Sequence, residues 1–149
     1  DDPFKAVERE LPMAAPKPGG YAAVIIDVHG EATSEKMAMG HLADGKASLV
    51  VGTHTHVPTG DAQILEHGTG YQTDAGMCGD YNSVIGMEKS AALQRFRRRF
   101  PSPRLTPAEG EATLCGTFLE TDDATGLARR ISPVRVGGRL QEQLPLFDD

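Results

Sequence analysis

Apolar residues gather into two short runs with an amphipathic stretch between them. Residues 21–28 are rich in branched side chains and predict a buried strand ending at His29. Thr33-Ser34-Glu35-Lys36 offers a helix cap ahead of Met37, Met39 and Leu42, and Asp44-Gly45 closes that helix. Residues 47–51 predict a second buried strand, which runs directly into Gly52-Thr53-His54-Thr55-His56. Strand, helix and strand within about 30 residues form a βαβ unit, normally a parallel pair with a right-handed crossover.

The flanks read differently. Asp2-Pro3 followed by Phe4, Ala6, Val7 and Leu11 predicts a capped helix ending near Pro12, with a loop over residues 12–20. Residues 62–65 and 70–73 predict a strand pair around the Glu66-His67-Gly68 turn, and residues 74–84 a loop. Residues 88–100 predict an amphipathic helix with Leu93, Phe96 and Phe100 on one face, stopped by Pro101. Residues 112–121 and 127–136 predict a long antiparallel hairpin, followed by a loosely ordered tail over residues 139–149. The pattern as a whole is α/β: a βαβ unit followed by mixed or antiparallel strands.

Composition narrows the class. With 149 residues, 39% hydrophobic and 24% charged, the chain fits one globular domain. No window approaches the roughly 18 consecutive apolar residues of a membrane span, and no signal segment opens the chain. The net charge of −6 argues against coating DNA, so positive charge for a phosphate ester would have to come from bound metal. Cys78 and Cys115 form no CxxC pair or disulfide framework, which points to a reducing cytoplasm. The chain opens Asp1-Asp2-Pro3-Phe4 without Met, so it is expected to be part of a longer protein.

The βαβ topology also carries the chemistry. Loops at the carboxyl ends of neighbouring parallel strands lie together, so His29, His54 and His56 are expected at one sheet edge. Neutral imidazoles there can each offer a ring nitrogen to zinc, manganese or iron. Asp27, two residues before His29, is a candidate acceptor for a ligand N–H. His41, within a helix, and His67, in a turn, read as surface residues. Glu31 and Glu35 sit near His29 and could reach the cleft, but helix capping and solvent exposure suit them as well. Asp74 and Asp80 read as turn residues of a glycine-rich loop, and no base can be named for Cys78 as a nucleophile. Arg95, Arg97, Arg98 and Arg99 suit the end of a helix dipole.

Together these motifs resemble a known family. Residues 27–36, Asp-Val-His-Gly-Glu-Ala-Thr-Ser-Glu-Lys, are similar to a segment of the bacterial YmdB-type metallophosphoesterases, a branch of the calcineurin-like superfamily. Residues 51–57 resemble that family's second motif, a variant of Gly-His-x-His, and residues 73–77 and 83–87 continue the likeness in order. The resemblance implies the C-terminal part of a four-layer αββα sandwich with a dinuclear centre of Fe, Mn or Zn. It places His29 and His54 on one metal and His56 on the other. It also implies hydrolysis of a small phosphodiester, including 2′,3′-cyclic nucleotides, by attack of a metal-bound hydroxide on phosphorus.

The departure from the family pattern is large. The family's strand-end Asp, its Gly-Glu-Asn and its Gly-Asn-His are absent, and with them a bridging carboxylate and the proton-donating histidine. This chain therefore carries none of the catalytic residues that the resemblance implies. Three neutral imidazoles cannot hold two dications close together, because no carboxylate offsets the repulsion. The expectation is a single partial domain over residues 1–149, inactive alone, binding at most one metal weakly and prone to self-association as a homo-oligomer. Two other readings stand beside it: a non-catalytic metal-binding or assembly module, and a mononuclear metal amidohydrolase.

Overall fold

The computed structural model describes residues 2–14, 16, 20–97 and 103–146. It contains helix α1 (Pro3–Ala14), strand β1 (Ile25–His29), helix α2 (Thr33–Ala43) and strands β2 (Leu49–Thr53), β3 (Gln63–Ile64) and β4 (Gly70–Gln72). Helix α3 (Lys89–Arg97) and strands β5 (Leu114–Thr121) and β6 (Ala128–Val136) follow. Four strands form a sheet in the order β1-β2-β4-β3, and β5-β6 is a separate antiparallel hairpin.

The βαβ unit forms as the sequence pattern predicts. β1 and β2 are parallel, in a register that pairs Asp27 with Val51 and His29 with Thr53. β4 adds parallel to β2, and the short β3 closes antiparallel on β4. Nothing in either segment's local pattern encodes that β2–β4 pairing.

Alternation along the strands divides the sheet into two faces. On one, Val50 and Tyr71 meet Leu11 of α1 and Met39 and Ala43 of α2, with Ile26 and Val28 packed alongside. The hairpin covers the opposite face over β4. A Cβ at Gly70 would lie 2.8 Å from a methyl of Leu119 and 3.3 Å from one of Ile131, so glycine admits the hairpin there. Thr117 of β5 also donates to the side-chain oxygen of the buried Gln72 at 2.7 Å.

Several expectations need correction. β1 is not buried on both faces: Ile25, Asp27 and His29 are exposed, because β1 is an edge strand that the hairpin does not cover. Ile25 is 64% exposed. α1 runs through Pro12 to Ala14, two residues past the expected end, although Pro12 has no N–H to give the Glu8 carbonyl. Asp2 caps its start, accepting the Phe4 N–H at 3.0 Å. α2 begins at Thr33 with Ala32 as an N-cap that provides no side-chain bond. In α3 the buried residue is Ala92, whereas Leu93 and Phe96 are exposed and Phe100 lies outside the described residues. Residues 139–146 run back along β6, where Gln143 bridges Arg135 through two main-chain bonds. Among the described residues, no helix is long and apolar enough to cross a membrane.

Candidate metal centre

The parallel register explains the first cluster. Asp27, His29 and Thr53 stand on the same sheet face at neighbouring positions. Thr53 Oγ1 donates to Asp27 Oδ1 at 2.8 Å and lies 3.0 Å from His29 Nδ1. An ionised carboxylate only accepts, so the threonine hydrogen points to Asp27 and its oxygen accepts from His29 Nδ1–H. Asp27 thus reaches the imidazole through Thr53 rather than directly.

Past Thr53 the chain turns sharply. His54 has φ +108° and His56 has φ +66°, a left-handed backbone that costs a non-glycine residue of order 1–3 kcal/mol. Gly52 leads into this turn under tight constraint, since a Cβ on it would lie 1.7 Å from the Thr73 carbonyl oxygen. Hydrogen bonds fix the turn at three points. Lys36 Nζ donates to the Thr53 carbonyl at 2.7 Å, Asp74 Oδ2 accepts the Thr55 N–H at 3.0 Å, and the Tyr81 hydroxyl lies 3.1 Å from the His56 carbonyl.

Partner chemistry assigns each ring proton. His54 Nε2 lies 3.1 Å from the Glu31 carboxylate, an acceptor, so a proton sits there and Nδ1 is the nitrogen turned toward His29. His56 Nδ1 is 2.8 Å from the Ile85 carbonyl, so His56 Nε2 is the free nitrogen. His29, protonated at Nδ1, has Nε2 free. The free nitrogens of His29 and His54 face each other at 3.2 Å, with the rings edge-on at 89° and centroids 4.9 Å apart.

A separation of 3.2 Å suits one N–H···N hydrogen bond between the rings, and it also suits two nitrogens on a shared metal. Nitrogens sharing one metal at about 2.1 Å stand about 3.0–3.4 Å apart for bond angles between square and tetrahedral. The His29–His54 pair fits that requirement as two members of a larger ligand set. Outer acceptors on the second nitrogen, here Thr53 and Glu31, are the usual companions of ligating histidines. No group of three or more His, Cys, Asp or Glu among the described residues is arranged to hold a metal. His56 is directed to the Ile85 carbonyl rather than to this pair.

The other candidates fall outside the cluster. His41 is exposed on α2, and His67 is exposed in its turn with its N–H on Asp44. Glu35 is exposed, and Asp80 accepts the Asn82 N–H at 2.6 Å, as turn chemistry predicts. Cys78 is exposed, with its thiol 3.4 Å from the Cys115 carbonyl. Arg95 and Arg97 close α3, while Arg98 and Arg99 lie outside the described residues.

Asp74 is the main surprise. It is fully buried and paired with Lys36 at 2.9 Å, equally buried. Sequence reasoning missed this pair because a helix lysine and a loop aspartate both read as solvated. A concavity of about 680 Å³ lies between β6 and the tail, away from the histidines, and one of about 400 Å³ borders His29 beside α1. Ring geometry rather than cavity size therefore locates the centre.

The chain is 46% identical over 136 residues to a 2′,3′-cyclic-nucleotide 2′-phosphodiesterase of Bacillus subtilis (strain 168), covering 91% of this chain and 50% of that protein. A crystal structure of a hypothetical protein from Thermus thermophilus superposes with a TM-score of 0.82 at 46% identity, over 93% of this chain and 52% of the other. A phosphatase structure from Mycoplasma pneumoniae gives 0.80 at 32% identity, over 91% and 47%. The chain thus spans about half the length of the relatives it matches. The sequence profile of the YmdB-like proteins matches residues 1–134, and the chain belongs to that family.

Proposed function

We propose that this chain supplies the histidine side of a two-metal phosphoesterase centre in a cytoplasmic enzyme acting on small phosphodiesters, with 2′,3′-cyclic nucleotides the favoured class. The observation that carries the reading is the 3.2 Å approach of His29 Nε2 and His54 Nδ1, each ring held through its other nitrogen. The family and the name of the Bacillus relative favour phosphoester chemistry over the amidohydrolase alternative.

Each residue then has a defined task. His29 and His54 would hold one divalent metal, and His56, through Nε2, would hold the second. The Asp27–Thr53 relay and Glu31 hold the rings of His29 and His54 through their other nitrogens and aim the two facing ones. When bound, the metals supply Lewis-acid polarisation of the phosphoryl group and lower the pKa of bound water. With a net charge of −6, the chain leaves attraction of a phosphate anion to those metals.

This chain by itself is proposed to be inactive. Asp27 and Glu31 are engaged by Thr53 and His54, and among the described residues no carboxylate stands between the imidazoles to bridge two dications. Elemental analysis after loading with Mn, Fe or Zn should find no more than about one weakly held metal per chain, as expected for an incomplete ligand set. Hydrolysis of bis-(p-nitrophenyl) phosphate should stay at the metal-ion background. Two tightly bound metals with turnover would contradict the inactivity.

A second reading, an assembly module that pairs through β1, is favoured by one observation. Among the described residues, β1 pairs only with β2, leaving its outer edge unpaired beside the exposed Ile25. Absence of metal binding together with a stable homo-oligomer would favour it.

A further inference from the structure

We propose that Lys36 and Asp74 are positioning residues, which hold the turn over residues 53–56 in the shape that presents His54 and His56 to metal. This rests on the reading of His29 and His54 as ligands. Lys36 is buried on α2, and its ammonium reaches Asp74 Oδ2 at 2.9 Å and the Thr53 carbonyl at 2.7 Å. Asp74 Oδ2 also accepts the Thr55 N–H at 3.0 Å, and Oδ1 accepts the Gly76 N–H at 2.9 Å. The pair therefore brackets the His54 peptide unit, one charge on the carbonyl before it and one on the amide after it.

The burial needs a reason beyond stability. Removing two charges from water is costly, and apolar side chains of similar volume often serve a core as well or better. An apolar pair could not hold a carbonyl and an amide in place on either side of a non-glycine residue at φ +108°. Left to itself, that backbone would relax toward negative φ and turn both imidazoles away. Neither charge contacts a histidine ring: each acts on the main chain, with the Tyr81 hydroxyl at the His56 carbonyl as a further hold.

The test compares the parent with Lys36→Met/Asp74→Asn, which removes both charges and keeps the volume. The double variant should fold, with a thermal midpoint within about 4 °C of the parent. Its affinity for Co²⁺, followed by visible absorption, should fall about 10- to 100-fold with an altered spectrum. A folded double variant with the parent's affinity and spectrum would overturn the proposal.

His29→Ala tests the underlying reading separately, because parental Co²⁺ binding that survives it defeats the ligand assignment. In that case the metal-free amide and ring resonances of His54 and His56 decide the matter. Resonances displaced in the double variant support positioning, and resonances unmoved overturn it. If the double variant does not fold, hydrogen exchange in the unmodified chain provides the reading. The Thr55 amide should be protected at least about 100-fold over an unstructured peptide, and an unprotected amide would overturn the proposal.

Discussion

Gly52→Ala is expected to cost more than about 3 kcal/mol, a large share of the stability of an ordinary domain. The added methyl would lie 1.7 Å from the Thr73 carbonyl oxygen and 2.7 Å from Lys36 Cδ. Neither neighbour can yield cheaply. The main chain after β4 is fixed to this point of β2, because the Ala75 N–H donates to the Gly52 carbonyl at 2.9 Å. Lys36 is held at its far end by Thr53 and Asp74. Overpacking typically costs 1–3 kcal/mol, and a clash with backbone belongs at or above the top of that range. Urea unfolding followed by circular dichroism measures it, and a midpoint equal to the parent's would show that the strands can separate freely here.

Asp74→Ala should be nearly as damaging, at about 3–5 kcal/mol, because it leaves the buried Lys36 ammonium without its counter-charge. The parent's response to acid has the same origin. Burial alone would raise the Asp74 carboxyl, but the Lys36 ammonium and the N–H groups of Gly76 and Thr55 outweigh it and hold it below the ordinary carboxylate value. Burial would likewise raise Asp61, and bonds from Thr59 and Thr73 bring it below that value. Carboxyls depressed in the folded state stabilise it above their unfolded value, and that stability is lost as pH falls through the folded value. Parent stability should therefore drop below about pH 4, with Asp74→Ala lacking the share that belongs to Asp74. Urea midpoints between pH 7 and pH 3 test this. A flat parent profile would contradict it.

How much of this was legible in the sequence depends on whether local periodicity encodes it. The βαβ unit was legible, because two branched apolar runs flank one helix and a parallel pairing follows. The β5–β6 hairpin was legible for a similar reason, with turn residues between two long alternating runs. The partnership of β2 with β4 was not, since nothing in either segment names its neighbour. The apolar stripe of α3 misled because spacing shows only which residues share a face. The fold buries Ala92 and leaves Leu93 and Phe96 exposed.

The site divides along the same line. His29, His54 and Asp27 follow from strand-end placement, and His29 with His54 are brought within 3.2 Å. Glu31, for which the sequence left both the cleft and a helix cap open, lies against His54. The residues missed are those acting on main chain from a distance: Lys36, Asp74 and the Tyr81 hydroxyl. Their residue types fit several roles, and only three-dimensional closure selects one. The left-handed backbone at His54 and His56 was equally hidden, because the enrichment of histidine at positive φ is too small to single out a position.

Imidazole nitrogen resonances test the central claim most directly. Long-range proton–nitrogen spectra of the metal-free chain should show His29 protonated on Nδ1, His54 on Nε2 and His56 on Nδ1, as their oxygen partners dictate. Titration with Zn²⁺ should then move His29 Nε2 and His54 Nδ1 together, leaving His41 and His67 in place. Zn²⁺ shifts confined to His41 or His67, or unmoved His29 and His54 nitrogens at saturating metal, would contradict the account.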